Sequence, residues 1–178
     1  MPADLQLKTN LQNDSGELVL RRATASDCDV AFAIQEASFR MYVDKEKGWD
    51  HEKERSQHDR NFDTFDYRVI SLQDNVVGMI SLDVSDDYIK LDRIFLSPEN
   101  QGESIGENSM ELLMSEAKRL DVPIRLQVMK VNPRAVAFYE RLEFVVVEES
   151  DAHFSMEWRQ QANSSASFQD TSCGDTPN

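Results

Sequence analysis

Cysteine is scarce in this sequence, which has Cys28 and Cys173 alone among 178 residues. One lies in a predicted helix and the other in a polar tail, so they form neither a disulfide framework nor a metal-ligand spacing. We therefore predict a reducing, cytoplasmic setting and no metal. No apolar run approaches the length of a membrane span, and residues 1–10 lack the basic start and apolar stretch of a signal peptide.

Basic residues are also few, at 19 Lys and Arg against 33 Asp and Glu, which gives a formal net charge of -14 and a pI near 4.5. A surface of this sign repels phosphate backbones and anionic lipid, so nucleic acid and membranes are excluded as predicted partners. It would attract a cationic partner such as a polyamine or a lysine-rich tail. The alternative is that the acidity only keeps the protein soluble.

Apolar periodicity predicts one domain over residues 16–160, between a flexible lead-in at 1–15 and a disordered polar tail at 161–178. Within it, short strand patterns alternate with amphipathic helix patterns in the order β-α-α-β-β-β-α-β-α-β-β. This order is typical of an α/β fold with a mixed sheet and helices on its faces. Ser26 is the expected N-cap of the first helix. The predicted strands cover 17–23, 67–72, 76–84, 88–96, 124–128, 144–147 and 152–158.

The most informative segment runs from Ile94 to Gly106. A strand stops at Pro98, a short polar loop with two glycines follows, and a helix begins. Such a loop points several backbone N–H groups at one place, and the helix dipole adds positive potential there, so the place suits a diphosphate. The alternative is a helix start that needed glycine only for its turn.

Two motifs in this order resemble the hallmarks of the GNAT acetyltransferases, in particular small bacterial members. The first, Gln/Arg-x-x-Gly-x-Gly after a strand that ends in proline, is read here from Gln101 to Gly106. The second, Asn-x-x-Ala-x-x-Phe-Tyr-x-x-x-Gly-Phe, is read from Asn132 to Phe144 one helix and one strand later. The resemblance implies a central mixed sheet flanked by about four helices, with acetyl-CoA as co-substrate.

The resemblance also assigns roles to individual residues. The backbone of Phe95 and Leu96 would pair with the pantetheine arm as a strand edge pairs with an extended chain. Asn132 would contact the pantetheine, cap its helix, or do both. Tyr139 would be the general acid that protonates the departing CoA thiolate, unless it is only a core aromatic. The loop residues whose backbone would hold the diphosphate are Gln101, Gly102, Ser104, Ile105 and Gly106.

Three positions depart from the family pattern. Ser104 replaces the first repeat glycine, so a positive φ there would be strained. Glu103 places negative charge where many members carry a basic residue, beside the expected diphosphate. Glu143 replaces the glycine of Gly-Phe, where a left-handed residue would cost about 1 kcal/mol. Together these residues would weaken acetyl-CoA binding without abolishing it.

The general base is poorly marked. Histone-type relatives carry a strand glutamate at the position that Lys90 occupies here. Asp83 and Asp92 lie in or beside the central strands and are the best candidate carboxylates, although an ion-paired surface role is the alternative for each.

Three further residues are candidates for the acceptor side. Tyr42 and Trp49 lie between the first two predicted helices, a region that usually borders the acceptor in this fold, and could line a cation-binding pocket. His153 lies on a late strand that could border the same pocket. Core packing or a helix-end anchor is the alternative for Tyr42 and Trp49, and a solvated or ion-paired surface role is the alternative for His153.

The function predicted is transfer of an acetyl group from acetyl-CoA to a primary amine by direct attack, since no Cys or Ser lies in a recognisable nucleophile motif. A monomer and a homodimer are both compatible with the sequence. A catalytically weak acyl-CoA-binding or interaction module is the first alternative. A nucleotide-binding domain is the second, disfavoured because no Walker lysine follows the glycines.

Overall fold

The computed structural model describes residues 10–13, 16–102 and 104–160, which form one eight-stranded sheet with four α-helices. The strands are β1 (Asn10–Asn13), β2 (Gly16–Arg22), β3 (Asp66–Leu72), β4 (Asn75–Val84), β5 (Ile89–Leu96), β6 (Ile124–Met129), β7 (Val145–Glu149) and β8 (His153–Trp158). The helices are α1 (Cys28–Glu46), α2 (His51–Thr64), α3 (Ile105–Leu120) and α4 (Pro133–Arg141).

The sheet has the strand order β1-β2-β3-β4-β5-β6-β8-β7. Every neighbouring pair is antiparallel except β5 and β6, which run parallel. A parallel pair needs a crossover connection, and α3 provides it. The predicted mixed sheet, with its order of strands and helices, is therefore confirmed.

The two faces of the sheet are covered by different helices. Ile105, Met110 and Leu113 of α3 and Tyr139 of α4 belong to the larger buried cluster on one face. On the other face a smaller cluster joins α1 to the central strands, and its buried members are Ala31, Ile34, Tyr67, Met79 and Phe95. This division follows from the alternation of side chains along each strand.

The first strand differs from the prediction. Asn10–Asn13, which the sequence placed in the lead-in, forms β1 by pairing antiparallel with β2, because the free edge of β2 supplies the hydrogen-bonding partners. The rest of the lead-in and the predicted tail at 161–178 lie outside the described residues.

The cap before α1 is made by Thr24 and Asp27 rather than by Ser26. The Asp27 carboxylate accepts bonds from the Thr24 N–H at 2.7 Å and the Thr24 hydroxyl at 2.8 Å, closing a turn of 3₁₀ helix that precedes α1. Arg21 donates two more bonds of 2.8 Å to the same carboxylate. These bonds, with that of Arg21 the largest cause, hold the pKa of Asp27 well below its usual range.

Helix α2 is anchored by His58, whose side chain is 0% exposed. Burial lowers the pKa of this imidazole, the positive charges of Arg93 and Arg55 lower it further, and the Cys28 carbonyl and Asp59 oppose the shift. Below about pH 6.5, the usual pKa of histidine, His58 therefore binds a proton in the unfolded chain more readily than in the folded one. We expect thermal stability to fall from pH 7.5 to pH 5.5, with a smaller fall in His58→Gln.

His51, exposed on the same helix, gives the matched control. His51→Gln is measured beside His58→Gln, as the removal of an imidazole that is not buried. Identical profiles for His58→Gln and the unchanged protein would contradict the account of His58.

Helix α4 ends at a strained residue. Glu143 follows the helix with φ 65°, and its N–H bonds the Glu140 carbonyl at 3.0 Å. A left-handed conformation costs a residue with a Cβ about 1 kcal/mol that glycine does not lose. We therefore expect Glu143→Gly to raise the melting temperature by about 2–4 °C, measured by calorimetry. Glu140→Gly makes the same chemical change inside the helix and should lower the melting temperature instead. A lower melting temperature for Glu143→Gly would contradict the strain at this residue.

Candidate active site

The loop between β5 and α3 has the geometry of an anion site. After Pro98–Asn100, a single turn of 3₁₀ helix, Gly102 takes φ 98° and Ser104 takes φ 59°, and α3 begins at Ile105. Backbone N–H groups in the first turn of a helix have no intrahelical partner, and the helix dipole is positive there. The first turn of α3 therefore offers donors and positive potential to a negatively charged group.

Gly102 and Ser104 meet the backbone requirement of this loop differently. Nothing lies within 4 Å of a Cβ built on Gly102, so its glycine is required by conformation and not by space. Ser104 is in the left-handed region, which costs a residue with a Cβ about 1 kcal/mol. Glu103 lies outside the described residues.

Strands β5 and β6 separate before the loop is reached. Their parallel pairing covers three residue pairs and ends at Leu91 with Leu126, although both strands continue further. The last five residues of β5 and the last three of β6 are thus unpaired with each other. This opening in the sheet leads toward the start of α3.

The backbone of Leu96 borders the opening. Ser97 donates its N–H to the Val77 carbonyl of β4 at 2.9 Å, and the alternation of an antiparallel ladder then turns the groups of Phe95 toward β4 too. The groups of Ile94 and Leu96 face the other way, toward the opening. Ile94 thus shares the free edge with Leu96, and the pairing of Phe95 with the pantetheine stays a prediction. The two-residue alternation groups Ile94 with Leu96, but the register with β4 decides which groups face the opening.

Gln101 connects the loop to both neighbouring elements through its side chain. Its amide N–H donates to the Leu96 carbonyl at 3.1 Å, and its amide oxygen accepts from Arg134 of α4 at 3.0 Å. Its backbone N–H, which was expected to face a diphosphate, points at the Pro98 carbonyl at 3.4 Å. The Gln101 N–H, one of the expected donors to a diphosphate, is thus directed at an acceptor within the loop.

Gly106 lets α3 approach β5 and α4 closely. A Cβ built on Gly106 would lie 3.3 Å from a Leu96 side-chain carbon and 3.6 Å from the Phe138 ring. Asn132 caps α4, because its side chain accepts from the Ala135 N–H at 3.1 Å. The capping role left open by the sequence is therefore shown for Asn132.

Tyr139 is a buried phenol on α4, 8% exposed, with the rings of Phe138 and Phe144 at 5.3 and 5.6 Å. Burial raises its pKa well above the ordinary value, so the hydroxyl keeps its proton at neutral pH. Within the described part of the chain this hydroxyl has no hydrogen-bond partner. A protonated phenol without a competing partner can act as a general acid, although a raised pKa makes it a weaker proton donor.

The two candidate carboxylates lie in different surroundings. Ser81 of β4 lies opposite Arg93 and Leu82 opposite Leu91, so Asp92 is the extra residue of a β-bulge directly after the last parallel pair. The Asp92 side chain is 22% exposed and 3.1 Å from Arg93. Asp83 is exposed on β4, where β5 and β6 are still joined. The opening therefore begins beside Asp92 and not beside Asp83.

The expected acceptor residues lie on separate elements. Tyr42 of α1 is half-buried, with its ring 6.1 Å from Phe39, which in turn lies 5.3 Å from Phe95. Trp49 has a buried indole N–H that finds no partner among the described residues. His153 begins β8 opposite Met129, the last residue of β6.

Two searches of the described residues bear on other classes of function. No group of three His, Cys, Asp or Glu side chains in 10–13, 16–102 and 104–160 is arranged to hold a metal ion. None of the helices in these ranges is both long and apolar enough to cross a membrane.

Comparison with solved structures places this fold among acetyltransferases. The chain is similar to the PaiA N-acetyltransferase of Thermoplasma acidophilum in complex with coenzyme A, at 18% identity and a TM-score of 0.67, covering 80% of this chain and 99% of that one. It is also similar to the ribosomal-protein-S18-alanine N-acetyltransferase of Escherichia coli, at 18% identity and a TM-score of 0.64, covering 85% and 99%. A GNAT acetyltransferase of Elizabethkingia anophelis with acetyl-CoA bound is 9% identical, with a TM-score of 0.62, covering 83% and 100%.

Sequence comparison adds an independent result. A search of curated proteins finds no match. The model of the acetyltransferase (GNAT) family, however, matches residues 31–144, which include both motifs and four of the eight strands. The chain therefore belongs to the GNAT family of acetyltransferases.

Proposed function

We propose that this protein transfers an acetyl group from acetyl-CoA to a primary amine by direct attack in a ternary complex. The observation that carries the proposal is the end of the β5–β6 pairing at Leu91 with Leu126, since the first turn of α3 follows β5 and Tyr139 lies on the helix that follows β6. Membership of the family and similarity to structures solved with coenzyme A support the same reading.

The residues along the opening would hold two parts of the CoA chain. The N–H groups of Ile105 and Gly106 would hold the diphosphate at the first turn of α3. The Leu96 carbonyl, which already accepts from the Gln101 amide, would accept a pantetheine N–H as a strand edge accepts a partner strand. Gly106 keeps α3 close enough to β5 for both contacts to serve one molecule.

Tyr139 and Asp92 divide the proton transfers. The amine nitrogen forms a bond to the thioester carbon, the carbon–sulfur bond breaks, and Tyr139 gives its proton to the departing sulfur. Asp92, at the bulge beside the opening, takes the proton that the amine loses. A thiolate of pKa about 8.5 is a good leaving group, so the acid is expected to supply only part of the acceleration.

The acceptor must reach the site as a neutral amine. A lysine-like amine of pKa about 10.4 loses about 4.6 kcal/mol in giving up its proton at pH 7. A carboxylate such as Asp92, at the mouth of a pocket that receives a cationic amine, offsets part of this cost. The net charge of -14 favours a cationic amine, and Tyr42, Trp49 and His153 are proposed to line its approach.

Thiol release from acetyl-CoA over a panel of amines tests the proposal. The panel contains spermidine, a lysine amide and a peptide with a free amino terminus, and turnover with at least one is expected. Binding of CoA in a calorimeter without turnover would favour the weak CoA-binding module, which the strained Ser104 and Glu143 would suit. Heat on titration with ATP but not with CoA would overturn the donor site.

A further inference from the structure

A chain of polar side chains, buried at His58 and Gln35 and half-buried at Arg93, connects α2, α1 and β5. The Nδ1 of His58, 0% exposed, lies 2.9 Å from the Oε1 of Gln35, which is itself 1% exposed. The Nη1 of Arg93 donates to the same oxygen at 3.3 Å. Polar groups so deeply buried are stable only when their hydrogen bonds are made, so each of these residues holds the next in place.

The direction of the hydrogen bond between Arg93 and Gln35 is determined by the partners. Arg93 can only donate, so the atom of Gln35 that it meets is the carbonyl oxygen. The other nitrogen of His58, Nε2, lies 3.2 Å from the Cys28 carbonyl, a second acceptor. Because burial keeps His58 neutral, the ring has one N–H to donate, and the shorter contact is the one to Gln35.

The far end of the chain is the bulge at the strand opening. Arg93, whose side chain is 23% exposed, donates from Nε to Oδ2 of Asp92 at 3.1 Å. A guanidinium is planar, so bonds from Nε and Nη1 to two different partners determine its orientation. The Asp92 carboxylate is thereby connected, through Arg93 and Gln35, to a histidine in the core.

We infer that Arg93 is a positioning residue, held by the buried Gln35–His58 pair, which orients the Asp92 carboxylate toward the amine at the opening between β5 and β6. The inference rests on the proposed function, because it concerns the base of that reaction. Through Gln35 and His58, the inference gives helices α1 and α2 a part in positioning the base.

Kinetics of Arg93→Met, Gln35→Leu and the double variant test the inference. With acetyl-CoA and the best amine of the panel, each single variant is expected to lower kcat about tenfold, while the Kd of CoA stays within about twofold. The double variant should lose no more than either single one, because both changes break the same chain. Arg93→Lys should recover part of kcat, since lysine keeps the charge but not the two-point orientation.

The matched control is Arg125→Met, which removes an arginine of β6 that pairs with Glu157 of β8. Its kcat should equal that of the unchanged protein, and melting temperatures show whether each variant is folded. Losses of Arg93→Met and Gln35→Leu that multiply in the double variant, or an unchanged kcat in Arg93→Met, would overturn the inference alone. Absence of turnover in the unchanged protein with every amine would overturn the proposed function and the role of Arg93 with it.

Discussion

Gly102→Asp is expected to weaken CoA binding about a hundredfold, equivalent to about 2.7 kcal/mol. The residue stands in the loop just before α3 with φ 98°, so any side chain strains the backbone that presents the first turn of the helix. Aspartate also adds a negative charge where a diphosphate would bind, and two like charges about 4 Å apart near a surface repel by about 4 kcal/mol. Isothermal titration with CoA measures the change.

Gly48→Asp is the matched control for this substitution. Gly48 also has a positive φ, 80°, and nothing lies within 4 Å of a Cβ built on it, so strain and added charge are comparable. It lies between α1 and α2, on the side of the sheet away from α3. The Kd of CoA should be unchanged in this variant. Equal affinity of Gly102→Asp and the unchanged protein would remove the loop from the donor site.

Tyr139→Phe is expected to lower kcat between tenfold and a hundredfold while the Kd of CoA changes less than twofold. The substitution removes one oxygen and leaves the ring packed between Phe138 and Phe144, so the core is preserved. Only the proton donor to the departing thiolate is lost, and a positioned acid contributes at least about a hundredfold where the leaving group is poor and less where it is good. Steady-state thiol release, with calorimetry for CoA, separates the two quantities.

The pH profile adds a second measurement to this prediction. Because burial raises the pKa of Tyr139 well above its ordinary value, the hydroxyl stays protonated through the neutral and mildly alkaline range. Loss of activity near pH 10 from ionisation of this residue is therefore not expected. A decline there that disappears in Tyr139→Phe would contradict the burial account.

Tyr67→Phe is the control for the loss of a buried hydroxyl. Tyr67 is 3% exposed, and its hydroxyl lies beside Ser81, the residue opposite it on β4. It lies on the other face of the sheet, in the cluster with α1. Its kcat should stay within twofold of the unchanged protein. Equal kcat values for Tyr139→Phe and the unchanged protein would remove Tyr139 from the acid role.

Local sequence patterns were sufficient for most of the fold. Period-two and helical apolar patterns are set by which face of each element is buried, so they predicted the strands and helices between residues 17 and 158 in the correct order. The cap before α1 was misplaced by two residues, because Ser26 and Thr24 are both good capping residues and only the Arg21–Asp27 contact decides between them. β1 was missed because its pairing depends on β2 and not on its own composition.

The sequence by itself determined the order of elements, the loop from Gln101 to Gly106, the Asn132 cap and Tyr139 on its helix, since each depends on residues close together in the chain. Tertiary structure alone decided where β5 and β6 part, that Leu96 and Ile94 face that opening, and that Asp92 occupies a bulge. It also joined Gln35 to His58 and Arg93. These features arise from pairing and packing between residues distant in sequence, whose geometry no local pattern records.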